Sequence, residues 1–246
     1  MKADLIFGIH AVTTLLSRDA ERVKRLFVVQ GRSDHKMETI VQLATKAGIS
    51  VEQISKHRLD EKVDGVHQGV AAEAKPLPVL GDKQLSHLLD GLSDVPFLLI
   101  LDGVTDPHNL GACLRTADAA GVSAVVAPRD KSAPLNATAV KVASGAADSV
   151  PYFQVTNLSR TLADFQQRGI WVVGTAGEAT SSIYQADLTG PMALVMGAEG
   201  KGMRRLTREH CDLLINIPMA GDVSSLNVSV ATGVTLFEMV RQRAKV

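Results

Sequence analysis

The second half of the chain contains short continuous apolar runs, each ended by glycine, proline or polar residues. Residues 97–101 are apolar at every position, which is typical of a strand buried on both faces of a parallel sheet. Similar runs predict strands over 124–127, 152–155, 170–174, 193–196 and 213–217, and helical spacing predicts helices over 110–117, 136–144, 158–168, 203–210 and 226–243. This alternation predicts a mostly parallel α/β sheet with helices on both faces.

The first 75 residues have a mixed pattern that predicts a smaller α/β unit. Helices are predicted over 9–16, 37–47 and 57–62, and strands over 26–30, 49–54 and 68–74. Pro76 and Pro78 then stiffen the chain and disfavour both helix and sheet. We therefore predict a first domain over 1–74, a linker over 75–93 with a polar helix near 85–92, and a second domain over 94–246.

Composition narrows the class of protein without identifying a partner. The 246 residues are 46% hydrophobic and 21% charged, and the formal net charge of zero gives no argument for a nucleic-acid partner. Cys113 and Cys211 belong to no CxxC pair, which argues against a disulfide framework and a cysteine zinc site. No signal peptide is visible, and no apolar stretch approaches the ~18 residues of a membrane span. We expect a cytoplasmic protein that binds neither a metal nor a membrane.

Two of the predicted strands end in loops of small and polar residues. The strand over 193–196 runs into Gly197, Gly200 and Gly202, and the strand over 213–217 is followed by a small-residue loop over 220–225. Loops at the carboxyl ends of parallel strands are where open α/β sheets bind ligands. The alternative is that both are ordinary turns between a strand and a helix.

Polar side chains gather near the same predicted strand ends. Asn109, which we predict to cap the helix after the first strand of the second domain, is followed by Arg115. Glu199 lies in the glycine loop, and Ser224 and Asn227 follow the last strand. Taken singly, each is most simply a solvated or structural residue. Taken together at one edge of a sheet, they predict a functional site.

Common nucleotide-binding and hydrolase motifs are absent from the sequence. The glycine loop does not match the GxGxxG fingerprint of dinucleotide-binding folds, and there is no GxxxxGK[ST] phosphate loop. A serine hydrolase could be assembled from Ser224, His108 and Asp102, but no GxSxG elbow supports it. The sequence therefore disfavours an oxidoreductase, a phosphoryl transferase and a hydrolase.

Three segments resemble the three motifs of the SpoU/TrmH family of RNA ribose 2′-O-methyltransferases. They are NLGACLRTA over 109–117, MGAEG over 196–200, and IPM over 217–219 with SSLNVS over 224–229. They occur in this order, and the resemblance covers about 97–243. In the first domain, GIHAV over 8–12 and VHQGV over 66–70 resemble the RNA-binding extension of the family.

The resemblance implies a fold, a reaction and partners. The implied fold is a SPOUT-type parallel sheet with a C-terminal trefoil knot, preceded by a small α/β RNA-binding domain. The implied reaction uses S-adenosylmethionine to methylate a guanosine ribose in the peptidyl-transferase region of 23S rRNA. The implied assembly is a homodimer with active sites at the subunit interface. The alternative is a non-catalytic RNA-binding protein with the same fold, which would not need the motif residues together.

The same resemblance implies roles for individual residues. The implied catalytic residues are Arg115, Asn109, Glu199, Ser224 and Asn227, and the implied cofactor contacts are Gly197, Ile217, Leu226, Thr175 and Gly177. Glycines in the cofactor loop would let the backbone approach the ligand closely.

The role of Arg115 is open at this point. In the family the matching arginine is proposed as a general base, but an arginine side chain stays protonated in water. Polarising the hydroxyl and binding the neighbouring phosphate is therefore the chemically easier role. His108 is an alternative proton acceptor.

Overall fold

The chain folds into two compact units. The computed structural model describes residues 3–32, 34–63, 65–76 and 80–244. One unit is made of Met1–Pro78 with Leu135–Ser149, and the other of Val79–Pro134 with Val150–Val246. Residues 77–79 of the predicted linker lie outside the described residues.

The strands and helices of the described residues alternate along most of the chain. The strands are β1 (Asp4–Phe7), β2 (Val23–Val29), β3 (Ser50–Ile54), β4 (Val70–Ala74), β5 (Phe97–Asp102), β6 (Ala124–Pro128), β7 (Tyr152–Val155), β8 (Trp171–Thr175), β9 (Ser181–Ser182), β10 (Met192–Gly197) and β11 (Leu213–Asn216). The helices are α1 (Ile9–Arg18), α2 (His35–Lys46), α3 (Lys56–Lys62), α4 (Asp82–Asp90), α5 (Pro107–Ala119), α6 (Ala137–Ala143), α7 (Ala146–Ser149), α8 (Leu158–Gln167), α9 (Arg205–Glu209) and α10 (Val228–Arg243). The sequence predicted all of these except β1, α7 and β9, which are each four residues long or shorter. Such short segments do not establish a period.

The first unit contains a four-stranded mixed sheet in the order β1-β4-β2-β3. β4 pairs antiparallel with β1 and β2, whereas β2 and β3 are parallel. Phe27, Ile54 and Leu59 are buried in a cluster at its core. The small α/β unit expected from the sequence is therefore present.

Residues 135–149, which the sequence prediction placed in the second domain, pack with the first unit. Arg22 Nη1 lies 2.6 Å from Asp148 Oδ1 in α7, and the two side chains are only 9% and 2% exposed. Arg22 Nε also donates to the backbone oxygen of Lys75 at 3.0 Å. Burial raises the pKa of the Asp148 carboxyl, and the positive charge of Arg22 opposes this shift. The segment is thus held in the first unit by a buried ion pair.

The second unit contains a seven-stranded parallel sheet in the order β7-β6-β5-β10-β8-β11-β9. All six residues of β5 are buried, as its continuous apolar run predicted. The chain adds β6 and β7 on one side of β5 and later inserts β10 between β5 and β8. The loops that leave β5, β8, β10 and β11 therefore lie along one edge of the sheet.

Helices cover both faces of this sheet. α4 and α8 contribute Leu85, Leu162 and Phe165 to a buried cluster on one face. α5 and α10 pack against each other, and also contact β6 and β10 respectively. The predicted parallel sheet with helices on both faces is confirmed, while the C-terminal knot stays a prediction. Among the described residues, no helix combines the length and the apolar character needed to cross a lipid bilayer.

Asp106, rather than Asn109, is the N-cap of α5. Its Oδ1 accepts a hydrogen bond from the His108 amide at 2.9 Å, and Pro107 occupies the first turn. Proline suits that position because its φ is compatible with a helix and it has no N–H to satisfy. Asn109 therefore lies inside the helix, so its side chain is not used for capping, contrary to the sequence prediction.

Asp148→Ala is expected to destabilise the first unit by about 3–5 kcal/mol, because the buried guanidinium of Arg22 would lose its buried carboxylate partner. The double variant Arg22→Met/Asp148→Leu removes both charges and is expected to recover most of this loss. Hydrogen exchange of the β1–β4 amides, followed by mass spectrometry, measures the effect. Unchanged protection in Asp148→Ala would contradict a stabilising role for the ion pair.

Candidate active site

An open cleft, here called cleft A, lies at the carboxyl ends of β8, β10 and β11 and has a volume of about 680 Å³. This size is within the range of small-molecule sites. All five residues predicted to contact a cofactor line it, namely Thr175, Gly177, Gly197, Ile217 and Leu226. Ile217 and Leu226 lie between β11 and α10, outside regular secondary structure. Their backbone groups are therefore not part of a sheet or a helix.

A second cleft, here called cleft B, lies at the carboxyl end of β5 and has a volume of about 580 Å³. Its lining includes residues 102–106, Asn109 and Lys131. Ala198, Glu199, Lys201 and Gly202 line both clefts. The loop after β10 is therefore a wall shared by the two clefts.

This loop is a tight hairpin whose own backbone requires glycine. Ala198 and Gly202 exchange backbone hydrogen bonds of 3.0 and 2.8 Å, and Gly200 and Gly202 have left-handed φ angles of 74° and 65°. A Cβ at Gly197 would lie 2.3 Å from the carbonyl carbon of Gly202 and 2.3 Å from the nitrogen of Met203. The hairpin by itself therefore requires glycine at 197, and the predicted contact of Gly197 with a cofactor stays a prediction.

Asp102 holds the segment that follows the hairpin. Its carboxylate, fully buried at the end of β5, accepts from the backbone N–H of Arg204 at 2.8 Å and from Arg204 Nε at 2.6 Å. Each carboxylate oxygen is therefore engaged by Arg204, which further disfavours a hydrolase that uses Asp102 to orient His108. The methyltransferase hypothesis drawn from the sequence assigned Asp102 no role. An acidic residue at the end of a buried strand could have indicated one, because ligands bind at that edge of a parallel sheet.

Asn109, Glu199 and Asn227 come together beside the shared wall. Asn227 Nδ2 lies 3.1 Å from Asn109 Oδ1 and 3.4 Å from Glu199 Oε2. The amide N–H and the hydroxyl of Ser229 both donate to Asn227 Oδ1, at 3.0 and 2.6 Å. Because a backbone N–H can only donate, Ser229 fixes the amide orientation, and Asn227 Nδ2 faces two acceptors. Ser229 belongs to the third motif, but no local pattern in the sequence indicated this role.

Arg115 and Ser224 lie apart from this cluster. Arg115 is exposed on α5, six residues beyond Asn109, so the two side chains leave the helix in different directions. It lines neither cleft A nor cleft B. Ser224 is exposed and lines cleft A. The structure thus brings three of the five predicted catalytic residues into direct contact.

Neither cysteine is suited to act as a nucleophile. Cys113 is fully buried between α5 and α10 with its Sγ 3.6 Å from Thr232 Oγ1, and burial raises the pKa of its thiol to about 11. Burial likewise raises the pKa of Cys211 to about 12. Both thiols are therefore protonated near neutral pH. In the part of the chain that the structure describes, no group of three or more His, Cys, Asp or Glu residues could hold a metal ion.

Two family models match the chain. The model described as "SpoU rRNA Methylase family" matches residues 96–237, which span the strands and loops that form both clefts. The chain belongs to the SpoU rRNA methylase family. The model described as "RNA 2′-O ribose methyltransferase substrate binding" matches residues 5–80. The resemblance inferred from the three SpoU motifs is confirmed.

Relatives in this SpoU family match the chain over nearly its full length. The 23S rRNA (guanosine-2′-O-)-methyltransferase RlmB of Pseudomonas aeruginosa is 62% identical, over 97% of this chain and 96% of the relative. The protein of the same name from Escherichia coli K12 is 59% identical, over 98% of this chain and 100% of the relative. The SpoU methyltransferase AviRb from Streptomyces viridochromogenes, solved in complex with AdoMet, has a TM-score of 0.81 at 23% identity and covers 99% of this chain and 92% of its own. That likeness shows a shared fold.

Gly197→Ala is expected to destabilise the second unit by about 1–3 kcal/mol, because its Cβ would overlap backbone atoms of the hairpin. Gly177→Ala is the matched control, since Gly177 lines the same cleft but nothing lies within 4 Å of its added Cβ. Its stability is expected to change by less than about 0.5 kcal/mol. Urea denaturation followed by circular dichroism compares the two, and equal stabilities would contradict the steric argument.

Proposed function

We propose that this chain transfers a methyl group from S-adenosylmethionine to the 2′-hydroxyl of a guanosine ribose in 23S rRNA. The observation that carries the proposal is the contact of Asn109, Glu199 and Asn227 beside the wall between two clefts. A group transfer needs two substrates that meet at one point, and this arrangement offers a cleft for each. Relatives that match almost the whole chain are named for this reaction.

The lining of cleft A suits S-adenosylmethionine. Thr175, Gly177 and the backbone of Ile217 and Leu226 offer small side chains and peptide groups, which can recognise an adenosine without a phosphate site. The charged residues of the lining are balanced, with Glu178 and Glu199 against Lys201 and Arg208, and Arg208 forms an ion pair with Glu178. When bound, the cofactor supplies an electrophilic methyl group on a positively charged sulfur.

The residues of the cluster would bind and orient the ribose. Glu199 lines both clefts, so its carboxylate is placed to accept a hydrogen bond from a ribose hydroxyl. Because the oxygen of Asn109 accepts from Asn227, the amide nitrogen of Asn109 is left to donate to the substrate. Positioning of this kind lowers the barrier by holding the hydroxyl in a reactive orientation. As the 2′-oxygen takes the methyl group, its proton would pass to the Glu199 carboxylate that accepts its hydrogen bond, and the positive charge of Arg115 would stabilise the negative charge that develops on the oxygen.

Arg115 is proposed to reach this site from a second copy of the chain. Within one copy it lines neither cleft. α10, which packs against the helix that carries Arg115, exposes 51% of Val230 and 49% of Phe237. These two residues are seven positions apart and so lie on the same side of the helix. A homodimer would cover this apolar surface and could bring each Arg115 to the clefts of the other copy.

Further parts of the proposal concern the first unit and the cellular location. The first unit, which carries the match to the substrate-binding model, is proposed to bind rRNA. Because the proposed substrate is ribosomal RNA, the protein is proposed to act in the cytoplasm.

Incubation of the purified protein with tritium-labelled S-adenosylmethionine and unmodified 23S rRNA tests the proposed function. We expect label at one guanosine, in a linkage that resists alkaline cleavage because its 2′-hydroxyl is blocked. The Asn227→Ala variant is expected to transfer at least ~100-fold less label because the cluster loses its central donor. A protein that binds the rRNA but transfers no label would instead be the non-catalytic binding protein.

Mixed dimers of Arg115→Ala and Asn227→Ala subunits are expected to recover activity that neither variant has alone. If Arg115 acts across the interface, each mixed dimer contains one intact site, so random subunit exchange restores about a quarter of the wild-type sites. Calorimetry should show that both variants bind S-adenosylmethionine nearly normally. No recovery, in mixtures shown by native mass spectrometry to have exchanged subunits, would place Arg115 and the cluster in the same subunit.

A further inference from the structure

Cleft B, like cleft A, has equal numbers of acidic and basic lining residues, but its lining includes a lysine, Lys131, that cleft A lacks. Its charged lining residues are Asp102, Asp106, Glu199, Lys131, Lys201 and Arg204. Asp102 is paired with Arg204, and the Asp106 carboxylate caps α5. Glu199 is hydrogen-bonded to Asn227. Among the described residues, Lys131 and Lys201 form no salt bridge, so their charges are available to an anionic ligand.

Two cations of the described lining belong to cleft B alone, Lys131 and Arg204, because Lys201 lines both clefts. Arg204 is paired with Asp102, which leaves Lys131 as the one of the two that forms no salt bridge. Its backbone has a φ of 61°, a left-handed conformation that residues other than glycine, asparagine and aspartate seldom adopt. Such a conformation persists only where the surrounding structure imposes it, and it is found most often at functional sites.

The loop that carries Lys131 is held on both sides. Before it, the Arg129 amide donates to the Val155 carbonyl at 2.9 Å. After it, the Ala133 amide donates to the Val104 carbonyl at 2.7 Å, and the hydroxyl of Tyr152 donates to the Ala133 carbonyl at 3.3 Å. Val104 is itself part of the cleft B lining. The backbone of the loop that carries Lys131 is therefore held beside the cleft by these hydrogen bonds.

We propose that cleft B receives the target nucleotide and that Lys131 binds a phosphate of the RNA backbone beside the ribose to be methylated. The inference rests on the proposed function, because it takes RNA as the second substrate. Cleft A holds the residues assigned to the cofactor, and cleft B is the neighbouring space that also reaches Asn109 and Glu199. A nucleotide placed there brings a ribose to the cluster and a phosphodiester within the same cleft. A lysine ammonium contributes to phosphate binding as a point charge, so Lys131 would add affinity and register without reading the base.

Binding and kinetics of Lys131→Gln test this proposal on the full-length protein. The probe is a 23S rRNA fragment that contains the peptidyl-transferase region. We expect Lys131→Gln to bind it about tenfold more weakly and to raise the KM for RNA about tenfold, with kcat changed less than about twofold. The slope of log binding constant against log salt should fall by about 0.7, as for the loss of one contact to a single-stranded phosphate. The affinity for S-adenosylmethionine should not change.

Three further variants separate the effect of the Lys131 charge on RNA binding from the effects of its backbone conformation and of the overall charge of the protein. Lys131→Arg keeps the charge and is expected to restore RNA binding to within about twofold. Lys131→Gly removes both the charge and the unfavourable φ, and is expected to behave as Lys131→Gln does. Lys83→Gln is the matched control, because Lys83 is exposed on α4 and lines neither cleft. Its RNA affinity and salt slope should equal those of the wild-type protein.

Several results would overturn the proposal. If Lys131→Gln has the RNA affinity and salt slope of the wild-type protein, Lys131 does not contact a phosphate. If Lys131→Gly recovers RNA binding, the loss in Lys131→Gln comes from backbone strain rather than from the missing charge. An equal loss in Lys83→Gln would show only a general effect of charge. RNA binding is measured separately from methyl transfer. A wild-type protein that binds the RNA without methylating it would refute the proposed function. The binding data for the Lys131 variants would still show whether Lys131 contacts the RNA.

Discussion

The position of β10 is the constraint on which the candidate site depends. This strand lies between β5 and β8, and its last residue, Gly197, ends where the backbone of Gly202 and Met203 leaves no room for a side chain. The hairpin that follows becomes the wall between clefts A and B. Asp102, at the end of the neighbouring strand, then holds the segment after the hairpin through Arg204. Two clefts of substrate size are thereby built on one edge of a parallel sheet.

The cluster beside this wall uses a helix cap as a positioning device. Asn227 is the N-cap of α10, and its oxygen accepts from the amide of Ser229. N-capping stabilises the start of a helix by satisfying a free amide. Because capping fixes the oxygen, it also fixes the nitrogen, which reaches Asn109 and Glu199. The stability of α10 and the orientation of the cluster are therefore linked through one side chain.

The division into two units is less simple than two consecutive domains. Leu135–Ser149 leaves the sheet of the second unit between β6 and β7 and packs with the first unit. The buried pair of Arg22 and Asp148 secures this segment. A truncation that removes the first unit up to residue 76 would leave α6 and α7 without the surfaces on which they pack. Activity lost in such a fragment would combine this structural damage with the loss of the unit that we propose to bind RNA.

Local patterns in the sequence determined much of this protein. Continuous apolar runs predicted the buried parallel strands, since a strand covered on both faces must be apolar at each position. Helical spacing predicted nine of the ten helices of the described residues to within a few positions. The three motifs identified the family. They also predicted the polar residues of the candidate site, because those residues follow strand ends and precede helices in the sequence.

Only the tertiary structure decided which residues meet. The bond between Asn109 and Asn227 joins positions 118 residues apart, and that between Asp102 and Arg204 joins positions 102 residues apart. Such long-range contacts also decide four other features: the strand order, the steric need for glycine at 197, the placement of Arg115 outside both clefts, and the packing of 135–149 with the first unit. Periodicity and capping are properties of a few neighbouring residues, so they predict elements. Contacts between distant elements depend on how those elements pack, which no local pattern contains.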